Sequence, residues 1–324
     1  MAKQLQQFGI TTAGLPVDRI MLTTPDMTAS LLTYGCALQS LRLAGVAHDL
    51  TLGSDSVADY EGPMRYHGTL VGPVANRLTK AQATIDGHLV QFPANEATGN
   101  LLHGGAGGIQ TRIWTVADVT TTSVTLTLDL PHGDGGFPGN RHISATFTLT
   151  GTTLRMDITA TTDAPTLMNI ANHSYWNLNG TPTWAGHRLQ IAADSFLPVT
   201  PDTLPSGHIQ PVKDTPLDFR QPHQITPGAP AMDTNFCLSD SPAALRDVLW
   251  LCGHSLSMTL ATTEPGVQVY DGLQGIRPGH APYEGLAIEA QSWPDAPNHM
   301  GFPSIALAPG HTYHQTTTWR FGRL

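Results

Sequence analysis

Five short stretches carry side chains suited to moving protons or gripping a polar ligand. Residues 172–178 read NHSYWNL and set His173 in a run that otherwise looks like a buried strand. Residues 72–78, GPVANRL, put Asn76 beside Arg77, and residues 100–105, NLLHGG, put His103 ahead of two glycines. Residues 231–236, AMDTNF, hold Asp233. Residues 285–304, GLAIEAQSWPDAPNHMGFPS, carry Glu289 and Gln291 at the end of an apolar strand. A buried polar group without a partner costs about 1–3 kcal/mol. His173 is therefore either a satisfied core histidine or an imidazole kept for proton transfer. Glu289 is either an ion-pair partner or a base, Asp233 a turn cap or a ligand contact, and Arg77 a structural cation or a donor to hydroxyls. Only convergence in space gives these stretches a chemical meaning.

Several rival chemistries lack their residues. There is no His-Glu-x-x-His, and His311 and His314 of HTYH stand three apart, which on a strand sets them on opposite sides. No metal is expected, and no other cofactor. The Gly-x-Ser-x-Gly elbow of many hydrolases is missing. HGGAGG and HGDGG read as turns, because the phosphate-loop pattern is absent. Cys36, Cys237 and Cys252 are far apart and include no Cys-x-x-Cys, which argues against a disulfide framework or a zinc ribbon.

The chain has 324 residues and a formal charge of −9, with only 16 lysines and arginines and no basic block. Nucleic acid is an unlikely partner on that charge, and a neutral polar ligand fits it better. No apolar stretch reaches the roughly 18 residues of a membrane span, and the N-terminus lacks the apolar centre of a secretory signal. The expectation is a cytoplasmic protein, monomer or homodimer, that does not engage a membrane.

The elements that must position these residues read as strands. Charged residues make up 13%, about half the usual share of roughly 25%, while Gly (32) and Pro (25) are abundant. Three strands are expected over 18–43, a hairpin turning at Asp86-Gly87 over 83–92, and a half-buried strand over 114–130, where Val and Leu alternate with Thr. Two more flank Gly151 within 142–162. Others fall near 188–192, 255–261, 267–270, 285–290 and 312–321. The best helix candidate is 241–251, with Ser241 as N-cap and Pro242 at its first position. The Pro-rich segment 197–233 reads as a long ordered excursion, and the whole of 1–324 as one domain, a large antiparallel β-sandwich.

Taken in order, the blocks resemble the aldose 1-epimerase (galactose mutarotase) family. The resemblance rests on ANR (75–77), LHGG (102–105), GFPG (136–139), NHSYWNL, DTNF (233–236), EAQSWPDAPN (289–298) and the closing LAPGHTYHQTTTWRF. It spans roughly 20–322. It implies an all-β fold, a large antiparallel β-supersandwich with few short helices, and interconversion of the α and β anomers of a free aldose such as galactose or glucose. It further implies Glu289 as catalytic base, His173 as catalytic acid, His103 as a second active-site histidine, and Arg77 and Asp233 as contacts to sugar hydroxyls.

That reaction needs a base for the anomeric O1 hydroxyl and an acid for the ring oxygen, set on either side of the pyranose. Each well-placed proton-transfer group is worth about 10²–10⁴-fold. Imidazole donates near neutral pH at its unperturbed pKa of about 6.5, and His173 or Arg77 as a cation would keep Glu289 ionised. His103 either donates to the ring oxygen or orients the sugar. Asn76 and Gln291 are further candidates to contact substrate, Asn76 and Asn172 also to lock local geometry. Trp176, Trp293 and Phe302 are candidates to pack on the sugar's apolar face. Two other readings stand beside this one: a glycosidase using Asp233 and Glu289, and a non-catalytic sugar-binding protein on the same scaffold.

Overall fold

The computed structural model describes residues 4–324. Long strands with strict alternation build its largest sheet. Arg141–Thr150 and Thr153–Thr162 turn at Gly151 and pair over ten residues, with every second side chain of the first buried. Period-two burial of this kind gives each strand one core face and one wet face. These two are the third and fourth of nine strands, in the order Thr115–Val119, Ser123–Leu130, Arg141–Thr150, Thr153–Thr162, Tyr313–Arg323, Leu256–Thr262, Arg246–Cys252, Arg188–Ile191 and His223–Gln224. A four-stranded sheet forms from Leu5–Ile10, Pro16–Thr23, Met27–Leu32 and Ala37–Leu43. The strand pairings are antiparallel; one isolated bridge, Val74 to Asn169, is parallel.

A six-stranded sheet carries the chemistry. Its order is Tyr175–Trp176, Leu286–Gln291, Gly266–Tyr270, Asp233–Cys237, Ser195–Leu197 and Gln210–Pro211. Its inner face supplies Leu286, Ile288, Val267, Val269 and Phe236 to the main core, where they join Phe147, Ile158 and Trp319 of the large sheet. Alternation then forces the intervening residues outward. Asn235, Gln268 and Glu289 fall opposite one another across three neighbouring strands. The inner face is apolar and the outer face polar, yet both are buried, because loops cover the outer one.

The Asp86-Gly87 hairpin, the Gly151 hairpin and the expected strands form. Segment 197–233 is tied in at both sides: Gln210–Pro211 pairs with Ser195–Leu197, His223–Gln224 extends the large sheet, and Val212, Phe219 and Ile225 enter the core.

Three expectations fail. Residues 114–130 are two strands, not one, broken where Thr120 bonds Ser123. Residues 241–251 are not a helix. Arg246–Cys252 is a strand between Leu256–Thr262 and Arg188–Ile191. A bulge between Asp247 and Leu249 buries Val248 and Leu249 side by side. That defect breaks the alternation and imitates helical spacing. Trp176 is not a sugar platform: it is fully buried, its ring centroid 5.9 Å from Trp319 and 5.6 Å from Phe321. Among the described residues the α-helix is a single turn, Val57–Glu61, and no helix is long and apolar enough to cross a membrane.

Candidate active site

Glu289 stands on the outer face of a strand whose six residues are all buried. His173 reaches it from the short link between Ala171–Asn172 and Tyr175–Trp176. That link is clasped at both ends. The His173 N–H donates to Thr69 O, the Gly68 N–H donates to His173 O, and Asn172 Nδ2 donates to Gly68 O. Gly68 has φ +70° and no room for a side chain, since a Cβ would lie 2.2 Å from Leu38 O. Asn172 is thus a structural clasp, as read from the sequence. His173 Nε2 faces Glu289 Oε1 at 3.5 Å, while His173 Nδ1 and Glu289 Oε2 have no protein partner.

His103 is held by a second clasp. Its N–H donates to Asn76 O, and the Asn76 N–H donates to His103 Nδ1 at 3.1 Å. Both residues lie in the left-handed region, Asn76 at φ 59° and His103 at φ 50°. Asparagine tolerates that region better than most residues. Gly104 follows at φ +74°, where a Cβ would strike Gly72 O at 2.2 Å. The two glycines thus let the imidazole approach this backbone. Asn76 Oδ1 accepts the Arg77 N–H, so part of its side chain is taken up in holding the clasp.

The clasp also fixes the chemistry of His103. A neutral imidazole has one lone pair, and here Nδ1 spends it on Asn76 N–H; Nε2 then carries the proton and is a donor. Burial, then the nearby His173 and Arg77, hold His103 well below the usual imidazole range, so it stays neutral. His103, His173 and Glu289 offer ligand atoms within 4.8 Å of one another, close enough for a cation among the described residues. The donor set does not fit one, because His103 has no lone pair free.

Electrostatics overturn the expected charge states. Burial pushes the Glu289 carboxyl well above the usual carboxylate range, Asp233 adds to the rise, and Arg77 opposes it. Burial lowers His173 to about 4. Burial thus favours the uncharged form of each, a carboxylic acid facing an unprotonated imidazole. The cationic neighbours expected to hold Glu289 ionised do not outweigh desolvation. Nor do acid and base flank a ring-sized gap: they are neighbours, on one side of whatever binds.

Arg77 and Asp233 form the rim. Arg77 Nη1 lies 3.8 Å from Asp233 Oδ2, too far for a direct hydrogen bond. Asp233 Oδ1 accepts from Gln268 Nε2 at 2.6 Å. Burial raises the Asp233 carboxyl, against the pull of Arg77 and Gln268. Gln291 is fully buried, with Nε2 on Ser292 O and Oε1 unpartnered. It pairs with Gly266, over which Trp293 packs. Trp293 is itself buried, its indole N–H on Pro265 O and its ring edge-on to Phe302.

Sequence reasoning missed Gln268, Tyr66 and Tyr175. Gln268 had a signal: it is the polar residue inside the valine pair of GVQVY. Tyr66 had none; its ring lies 4.8 Å from His103 and 5.7 Å from His173. Tyr175 lies 5.1 Å from His173 and stacks on His67 at 4.2 Å. Together these rings dry the site from one side.

Comparison with known proteins places the chain in a family. The family model "Aldose 1-epimerase" matches residues 18–320. The chain is 34% identical to rat "Galactose mutarotase" over 96% of both chains. It is 32% identical to Escherichia coli "Aldose 1-epimerase" over 91% of this chain and 92% of the other. Its fold superposes on a solved aldose epimerase homologue from Caenorhabditis elegans with a TM-score of 0.87 and 29% identity, covering 94% of this chain and 99% of that one. Its ordered motifs, a sheet glutamate facing a histidine of the neighbouring link, and these matches lead to one conclusion: the chain belongs to the aldose 1-epimerase family.

Proposed function

We propose that this enzyme interconverts the α and β anomers of a free, uncharged aldose by opening and reclosing its ring, with Glu289 and His173 as the proton-transfer pair. Galactose is the first candidate substrate, as the names of its relatives suggest, with glucose the second. The observation that carries the reading is the facing pair itself: one carboxyl and one imidazole, 3.5 Å apart, each with an unpartnered atom in a buried polar site.

The two reacting oxygens, O1 and the ring oxygen, are both bonded to C1. Neighbouring groups on one side therefore suit them. The pair holds one proton in total. With sugar bound, that proton moves from Glu289 to His173, aided by Arg77, which favours the carboxylate. Glu289 then takes the O1 proton while His173 gives its own to the ring oxygen and the C1–O5 bond breaks. This leaves an open-chain aldehyde, protonated Glu289 and neutral His173. Rotation about C1–C2 presents the other carbonyl face. The carboxyl returns its proton to O1 as His173 takes the one on O5, and the ring closes. Nothing is oxidised and no adduct forms.

The fixed Nε2 donor of His103 and the open Nη1 of Arg77 hold sugar oxygens. A hydroxyl accepting from Arg77 Nη1 and donating to Asp233 Oδ2 fits their 3.8 Å gap. Preorganised donors of this kind are worth about 10²–10³-fold where charge develops. Asp233 Oδ1 is bonded by Gln268, and Arg77 favours its charged form, which disfavours it as a glycosidase acid. The main core joins Ile20 to Phe321, which supports one domain.

The test follows optical rotation of freshly dissolved α-D-galactose and α-D-glucose. Enzyme should speed the drift to equilibrium. Glu289→Gln and His173→Asn should each slow it by at least about 10²-fold with the circular dichroism spectrum unchanged. Wild-type rates in both variants would remove the assignment.

A further inference from the structure

Glu96 belongs to none of the five stretches, yet it grips the arginine at the rim. Both its carboxylate oxygens accept from Arg77 Nε at 3.1 Å, and Oε1 is also 3.1 Å from Nη2. Two of the three guanidinium nitrogens thus turn toward Glu96, and Nη1 is left facing Asp233. The loop bearing Glu96 is registered to the site by a side chain bonded to backbone. Its neighbour Asn95 clasps Leu102 from both sides, accepting from Leu102 N at 2.7 Å and donating to Leu102 O at 3.0 Å. Leu102 is the strand partner of Arg77 and the residue before His103. Glu96, Arg77 and His103 are therefore set by one small unit.

The charge count around this unit is one-sided. Glu96 and Asp233 flank a single arginine, and Asp271 adds its field to Asp233. Arg65, exposed, lies 5.9 Å from the centre of the Tyr66 ring. Glu96 cancels the charge of Arg77 while leaving its hydrogen-bonding edge open. An anion entering here meets carboxylates and an arginine already paired with one of them. Specificity built from such repulsion is a known device, and like charges brought together oppose binding strongly.

We propose that Glu96 is a positioning and specificity residue: it aims Arg77 at the sugar and neutralises it, so that the site accepts uncharged aldoses and rejects sugars bearing a carboxylate or a phosphate. This rests on the proposed sugar site, so the test reads binding separately from catalysis. Equilibrium binding of D-galactose and of D-galacturonate is measured by calorimetry for the wild-type chain, Glu96→Gln and Glu96→Asp. Wild type should bind galacturonate at least about 10-fold more weakly than galactose. In Glu96→Gln, which keeps an acceptor for Arg77 Nε but loses the charge, that ratio should shrink at least 10-fold. Glu96→Asp restores the charge and should restore the ratio. A merely structural role for Glu96 would weaken both sugars alike. An unchanged ratio in Glu96→Gln, or wild-type preference for galacturonate, would overturn the proposal. Failure of the wild-type chain to speed anomer exchange, with the ratio still behaving as stated, would instead count against the acid–base assignment alone.

Discussion

Two glutamates, Glu289 and Glu264, are each 2% exposed, each have one carboxyl oxygen without a partner, and each are pushed up by burial. Their surroundings differ. Glu289 faces an imidazole at 3.5 Å and shares its field with Asp233 and Arg77. Glu264 has only Arg246 opposing its rise to about 8, and Arg246 bonds the Glu264 carbonyl rather than its carboxylate. Burial alone makes a carboxyl reluctant to ionise. It becomes a catalyst only where a second group stands ready to take its proton and where the two share a surface with the substrate.

The comparison can be broken by exchanging which glutamate is neutralised. Glu289→Gln should cost about 10²–10⁴-fold in kcat/KM, and Glu264→Gln less than about threefold, both read from polarimetric rates. A large loss in Glu264→Gln would mean that the second carboxyl also serves the reaction. His103→Gln keeps a donor near Nε2 but loses the Nδ1 acceptor, leaving the Asn76 N–H unpaired. It should lose about 10–10²-fold, smaller than the loss in Glu289→Gln.

Glu264 should show itself in stability instead. Its pKa is about 8 folded and ordinary unfolded. Between the two values the unfolded state binds fewer protons than the native state. Stability from this group is thus full below about pH 4.5 and falls as pH rises toward 8. The loss is on the order of a few kcal/mol. Urea midpoints of wild type and Glu264→Gln at pH 5 and pH 8 test this. The variant should lose less stability than wild type over that interval, and equal losses would contradict the account. Removing the opposing cation by Arg246→Gln should extend the wild-type fall to higher pH, the smallest of these effects.

Much of the site was legible because the residue types suit proton transfer and because the ordered blocks resemble a known family, which supplied the roles. His103, His173, Arg77, Asp233 and Glu289 were read in that way, and the structure gathers them. What stayed hidden depends on depth and on neighbours distant in sequence. Trp176 looked like a sugar platform because sequence does not say which face of a two-residue strand turns inward. The expected charges of Glu289 and His173 took no account of desolvation, which raises the one and lowers the other and is a property of the folded surroundings. Gln268 and Glu96 gain meaning only beside Asp233 and Arg77, 35 and 19 residues away. The strand at 246–252 was misread for a local reason, its bulge.

The central claim is that Glu289 and His173 hold one proton between them and are neutral when the sugar arrives. The pH dependence of kcat/KM tests it, since that ratio reports groups of the free enzyme. The account predicts loss of activity on the acid side near pH 4, where His173 gains a second proton for the pair. On the alkaline side, activity should fall only well above the ordinary carboxylate range, when the pair loses its last proton. Alkaline-side loss already within the ordinary carboxylate range, about pH 4–5, would contradict it.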